Sequence, residues 1–204
     1  MAELTVAAGI NRGGPAGLPE RLRAETAELH ARVEALVDVP GRVHTRADYI
    51  DLLGALAGLH TGLEGQLVAL SWDLAWAGVG IDIAGHCRAG LLSADLDELG
   101  APAADSAEIA AFPTFGHALG CLYVLEGSAL GGRIVARMVN TAIGDVPTTF
   151  FSGIGRGHQW PAVRGALRRY AEEGGDGDAV VTGAVATFAV FAAGLIQPAM
   201  QRCR

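Results

Sequence analysis

The sequence predicts a single all-α domain, and three observations carry that expectation. Apolar residues recur at helical spacing through several long segments, where residues three, four and seven apart share one face. No stretch alternates apolar and polar residues as a half-buried strand does, and no repeat recurs along the chain. Finally, 204 residues with 50% hydrophobic and 18% charged side chains suit one core, long enough to bury about 70% of the unfolded surface.

The elements follow in order. Residues 1–17 read as a disordered leader, without the charged start and apolar run of a signal peptide, so a cytoplasmic protein is expected, with its domain over 18–204. Leu22, Leu29, Val33 and Leu36 form the first helical stripe, with Pro19 as a first-turn residue and Pro40-Gly41 as the stop. A second helix is expected over 46–70, with Leu52, Leu53, Leu56, Leu59, Leu63 and Leu67 inward. Residues 71–85 form a glycine-broken, tryptophan-bearing connection, followed by a short helix over 87–99 closed by Gly100. A loop over 102–105 leads to another short helix capped by Asp105 or Ser106. The longest helix covers 114–142, interrupted at Gly127, Gly131 and Gly132. After a loop over 144–157, Pro161 opens a helix ending at Gly174-Gly175, and a last helix spans 178–200 unless Pro198 ends it earlier. This makes seven or eight helices.

Composition narrows the function. A net charge of -7 excludes nucleic acid as the main partner, because neutralising phosphates needs a basic surface. All 15 cationic side chains are arginine. Cys87, Cys121 and Cys203 are odd in number and lack CxxC spacing, which argues against a disulfide framework or a thiolate metal site. No GxxxxGK[ST] or GxGxxG motif appears. Residues 179–196 carry no charge and reach the minimum length of a membrane span, but their Ala, Gly and Thr content fits a buried terminal helix, and membrane association is not expected.

Two segments carry candidate chemistry. In the first helix His30 lies one residue past the apolar stripe, with Glu34 four positions on and Arg23 two turns before it on the same side. A neutral imidazole binds iron through one nitrogen while the other donates to a carboxylate or water. The second segment, 122–138, places three glycines in six residues of a helix, which costs about 2–3 kcal/mol relative to alanine. Close packing of another helix explains such a run, and so does a flat ligand lying on exposed backbone, with the Ser128 hydroxyl ordering water.

In this order the two segments resemble the biliverdin-producing haem oxygenases, the bacterial, phytochrome-associated members above all. The LRxxTxxxHxxxE pattern stands here as Leu22, Arg23, Thr26, His30 and Glu34, and LYVLEGSxLGGR spans 122–133. LLSADLDELG over 91–100 and VATFAVF over 185–191 are similar to further family segments, so the likeness covers roughly 20–196. The resemblance implies a haem sandwiched between a proximal and a kinked distal helix, with haem as both cofactor and substrate. His30 is then the axial iron ligand, and Gly127, Ser128, Gly131 and Gly132 form the distal wall. Glu34 orients His30, Arg23 and Arg164 meet propionates, and Tyr123 lines the haem edge. It implies molecular oxygen as reactant, electrons from a ferredoxin or flavin reductase, and biliverdin, carbon monoxide and ferrous iron as products, with a bacteriophytochrome as recipient of the chromophore. Ser128 stands where some relatives carry a distal carboxylate, so proton delivery has to run through water, and lysine contacts to propionates cannot exist.

Rival readings use the same residues. A non-catalytic haem-binding or sensing protein would also ligate iron through His30. A non-haem metal oxidase could draw on His60 and Glu64, which repeat the His30–Glu34 spacing, but the Glu-x-x-His signature of di-iron bundles is missing, and an exposed helix face is the expected place for this pair. His44, His86 and His158 are expected on the surface, and His117 partly buried near the distal glycines.

Overall fold

The computed structural model describes residues 17–69, 72–153 and 159–201, with side chains as far as 196, and among these every regular element is a helix. The reading of 1–17 as a leader therefore lies outside the described residues except at Gly17, whose carbonyl accepts the Glu20 and Arg21 amides and starts α1 (Leu18–Val37). Pro19 sits in the first turn, where its missing N–H is no loss. After the single turn α2 (Val39–Arg42), α3 (Arg46–Leu67) opens on a capping box. The Asp48 amide donates to Thr45 Oγ1 at 3.1 Å, and the Asp48 carboxylate accepts the Thr45 amide at 2.9 Å.

Two connections hold more structure than expected. Residues 72–86 carry α4 (Asp73–Gly78) and a 3₁₀ turn (Ile83–His86), organised by Trp76. Its ring is fully buried against Phe115, and its indole N–H donates to the Leu67 carbonyl at 2.9 Å. α5 (Ala89–Glu98) ends, as expected, at Gly100, whose φ of +66° reverses the chain. Residues 101–112 then correct the expected short helix, because the segment is not helical. Instead the Ala107 amide donates to the Gly58 carbonyl at 2.9 Å, and the strip lies directly on α3. Side chains at Gly58 or Gly62 would overlap the Asp105 and Ala107 carbonyls.

The long glycine-interrupted segment is α6 (Phe115–Ser128), a 3₁₀ turn (Ala129–Gly131) and α7 (Gly132–Ile143). The expected loop after it contains one helical turn, α8 (Thr149–Ser152), whose Thr149 and Phe150 amides donate to the buried Asp95 carboxylate at 3.0 Å each. α9 (Gln159–Glu172) and α10 (Gly177–Gln201) complete the chain, and α10 continues through Pro198. Seven of these helices are ten residues or longer, in line with the sequence count.

α10 is the spine. It packs along α6 on one side and against α1 and α3 on others. Among the described residues, two segments, α6 through α7 (115–143) and 177–196 of α10, are long and apolar enough to cross a membrane, yet about half of each window is buried inside the protein, where α6 and α10 face one another. A side chain at Gly120 would overlap the Val180 carbonyl, and one at Gly183 the His117 carbonyl, so the two backbones touch.

Gly120→Ala should therefore destabilise the protein by about 1–3 kcal/mol, although alanine favours helices. Gly65→Ala, at an α3 position with nothing within 4 Å of the added carbon, should stabilise it by about 0.5–1 kcal/mol. Urea unfolding of both variants checks this, and equal effects would show that the backbone contact carries no energy.

Candidate functional site

A cavity of about 1030 Å³ lies between α1 and the α6–α7 kink, and all nine residues singled out by the sequence line it: Arg23, His30, Glu34, Tyr123, Gly127, Ser128, Gly131, Gly132 and Arg164. α10 supplies Phe188, Phe191 and Leu195 to its wall, and α8 supplies Phe150 and Phe151. Leu130 and Ile134 also line it, and both are large apolar side chains left mostly exposed, a surface that a ligand would cover.

His30 is about half exposed on α1, its ring edge-on to Phe188 at 6.1 Å between centroids. Its Nδ1 lies 3.5 Å from Glu34 Oε2, which leaves Nε2 as the nitrogen free to ligate. Arg23 is exposed on the same helix, and Arg164 reaches from α9 to pair with Glu20 at 3.0 Å. Tyr123 is buried with its ring 5.3 Å from Trp160, and burial raises its hydroxyl above the ordinary range despite opposing help from Thr26 and Arg23. It therefore stays neutral at physiological pH.

The four kink residues separate by role. Gly132 is needed for packing, because a side chain there would overlap the Phe151 carbonyl of α8. At Gly127 an added carbon would make ordinary contact with the Trp160 ring, and at Gly131 it would meet nothing within 4 Å. Gly131 is thus where bare backbone faces the cavity. Ser128 Oγ donates to the Leu125 carbonyl at 2.7 Å, so it offers the cavity an acceptor rather than a free proton.

Two histidine expectations are corrected. His60 and Glu64 do not lie on an exposed face, because α3 is enclosed by α5 and α10, and the two are only 1% and 5% exposed. His60 Nδ1 lies 2.8 Å from Glu64 Oε1, and Glu64 Oε2 accepts the backbone amides of Arg88 and Ala89 at 2.9 Å each. Burial acts to raise the Glu64 carboxyl, but the hydrogen bond and charge of His60 and the two backbone amides outweigh it and hold the group below its ordinary value. His86, expected on the surface, is buried with its Nδ1 2.9 Å from Glu126 Oε1. This second pair ties the 3₁₀ turn to the last turn of α6, directly before the kink. The residues are forty apart in sequence, so no local spacing announces them. His60 lines the cavity, as does the buried Arg88. His44 is exposed as expected, His117 is half-buried with its ring on Thr114 Oγ1 and away from the cavity, and His158 lies outside the described residues.

Among the described residues no three His, Cys, Asp or Glu side chains converge to hold a metal ion, which leaves the non-haem metal reading without a site there. Among the described residues, two imidazoles line this roomy, largely apolar space, the half-exposed His30 and the buried, Glu64-bound His60.

No protein-family model matches this sequence. No curated protein sequence matches it either. The structure is similar to that of the NO- and CO-bound haem oxygenase from Neisseria meningitidis, with a TM-score of 0.72 and 21% sequence identity, covering 90% of this chain and 92% of that one. The chain therefore has the all-helical haem oxygenase fold.

The lowered Glu64 carboxyl has a consequence for stability. Because its folded value lies below its unfolded one, its contribution is present above the unfolded value and lost as pH falls through the folded one. Wild-type stability should fall on acidification below the ordinary carboxylate range, and Glu64→Gln should flatten that acid limb in urea midpoints recorded against pH. An unchanged limb would assign the acid sensitivity elsewhere.

Proposed function

We propose that this protein is a haem oxygenase, a single cytoplasmic domain over 18–204 that opens haem to biliverdin. The observation that carries the reading is that His30 and the bare Gly131 backbone line one cavity. The residues present fit the macrocycle. The cavity stands at the upper end of the range for small-molecule sites, its wall is largely aromatic and aliphatic, and Arg23 and Arg164 lie at its partly exposed edge where two carboxylates could be met.

Bound haem would supply the iron that activates molecular oxygen and would itself be the substrate, leaving as biliverdin, carbon monoxide and ferrous iron. The chain's residues do the rest. His30 Nε2 would hold the iron, and Glu34 beside Nδ1 would keep the ring in the tautomer that leaves Nε2 unprotonated. Gly131 and Gly127 keep side chains off this part of the wall, which would let a bound macrocycle lie against backbone. Ser128, with its proton committed to Leu125, orders water there without acting as an acid strong enough to divert the chemistry. Arg23 and Arg164 would meet the propionates, Arg164 giving up its pair with Glu20 to do so. Gly132 acts through packing, holding the kink against α8. Electrons come from a ferredoxin or flavin reductase, and a bacteriophytochrome is the recipient that the sequence resemblance supports.

A haem titration of the purified protein should give a saturable Soret band that decays to a biliverdin absorbance on reduction under air. A band that forms and persists would mean a haem carrier or sensor instead. His30→Ala should abolish axial ligation, and an unchanged spectrum would exclude His30. Gly131→Leu, which has room to fold, should keep the Soret band and lower turnover by at least about tenfold through steric bulk; normal turnover would place the reacting wall elsewhere.

A further inference from the structure

The proposed reaction consumes protons, and the wall around the kink supplies no acid. The carboxylates that line the cavity, Glu20, Glu34 and Asp38, all come from α1 and the residue after it, and the Ser128 hydroxyl is held by Leu125. One imidazole besides His30 lines the cavity among the described residues, and it is His60 of α3.

His60 is a built site rather than a filler of the core. Its Nδ1 is taken by Glu64, a carboxylate that does not itself line the cavity, so Nε2 is the nitrogen left to the cavity. Glu64 cannot swing away, because its second oxygen holds the amides of Arg88 and Ala89. The ring is clamped edge-on by Phe150 at 5.1 Å and Phe191 at 5.8 Å. An ionised carboxylate bound to Nδ1–H fixes the tautomer and balances the charge of an imidazolium. The other titratable groups facing this pair are accounted for. Arg88 stacks over Phe150 at 4.3 Å as a permanent cation, Cys121 of α6 is pushed up to about 12 by burial and stays a thiol, and His30 and Glu34 stand on α1 in the same cavity.

We propose that His60 is the proton-handling residue of this cavity and Glu64 its positioning residue, a role that rests on the haem oxygenase reading above. The neutral ring keeps its proton on Nδ1. It takes up a second proton at Nε2 from hydronium relayed from bulk solvent, leaving neutral water behind, with Glu64 balancing the charge, and it releases that proton into the cavity. One proton is taken up and one delivered, and no electron moves.

The test reads the tautomer first, in the haem-free protein, by long-range ¹H–¹⁵N spectroscopy of the imidazoles. Neutral His60 should be protonated at Nδ1. In Glu64→Gln the single amide oxygen should stay on the Arg88 and Ala89 amides, so its NH₂ group donates to Nδ1 and the ring reverses to the Nε2–H form. In the haem-loaded protein, His60→Gln and Glu64→Gln should keep the Soret band but slow single turnover by about a hundredfold and flatten its pH dependence. An Nε2–H tautomer in the wild type, or both variants turning over with the wild-type rate and pH profile, would overturn the assignment while leaving the haem oxygenase reading intact. Absence of a Soret band in the wild type would overturn that reading and this one with it.

Discussion

The contact on which the structure depends is the backbone-to-backbone meeting of α6 and α10. Gly120 and Gly183 each lie against a carbonyl of the other helix, at a distance that no side chain allows. Two apolar helices brought this close gain dispersion contacts along their length, and the gain offsets what helical glycine costs in chain entropy. The placing of the α1, α3 and α6 walls of the cavity follows. α10 also carries α1 and α3, so the separation of His30 from the α6–α7 kink is set by how both sides seat on one spine. Phe188 and Phe191 of that spine then contact His30 and His60 in turn, which relates the two imidazoles through a single rigid helix.

Around this apolar centre runs a frame of buried carboxylates that hold irregular backbone. Asp95 accepts two amides of α8, Glu64 accepts two amides at the start of α5, and Glu126 holds His86 in the turn before it. Each satisfies donors that would otherwise be buried without partners, at a cost of about 1–3 kcal/mol apiece. The frame matters to the site because α8 carries Phe150 and Phe151, and the Phe151 carbonyl is what Gly132 packs against. The kink is thus fixed from outside the cavity, leaving its inner face bare.

Much of this was legible in the sequence, and the limits have physical causes. The long helices announce themselves by apolar spacing and by Pro19, Gly100 and Pro161 at their ends, and the cavity residues by two dense motifs whose members sit within a helix turn or two of each other. What is hidden depends on partners distant in sequence. The strip over 101–112 stays out of helix where it lies on the shelf that Gly58 and Gly62 offer on α3, a tertiary feature that no local signal at Asp105 or Ser106 contains. The spacing of His60 and Glu64 was visible, but their burial was not, since it comes from α5 and α10 closing over α3. The three glycines of the kink looked equivalent until Phe151, nineteen residues on from Gly132, separated the packing role of that residue from the open position at Gly131.

The central claim is that His30 and Gly131 face one another across the site of a single haem. A crystal structure of the haem-loaded protein tests it most directly. The account predicts the macrocycle in this cavity with His30 Nε2 as the iron's protein ligand, the Gly131 backbone against the opposite face, and Arg23 and Arg164 at the propionates. Iron ligated by any other histidine, or haem bound outside the cavity, would contradict it.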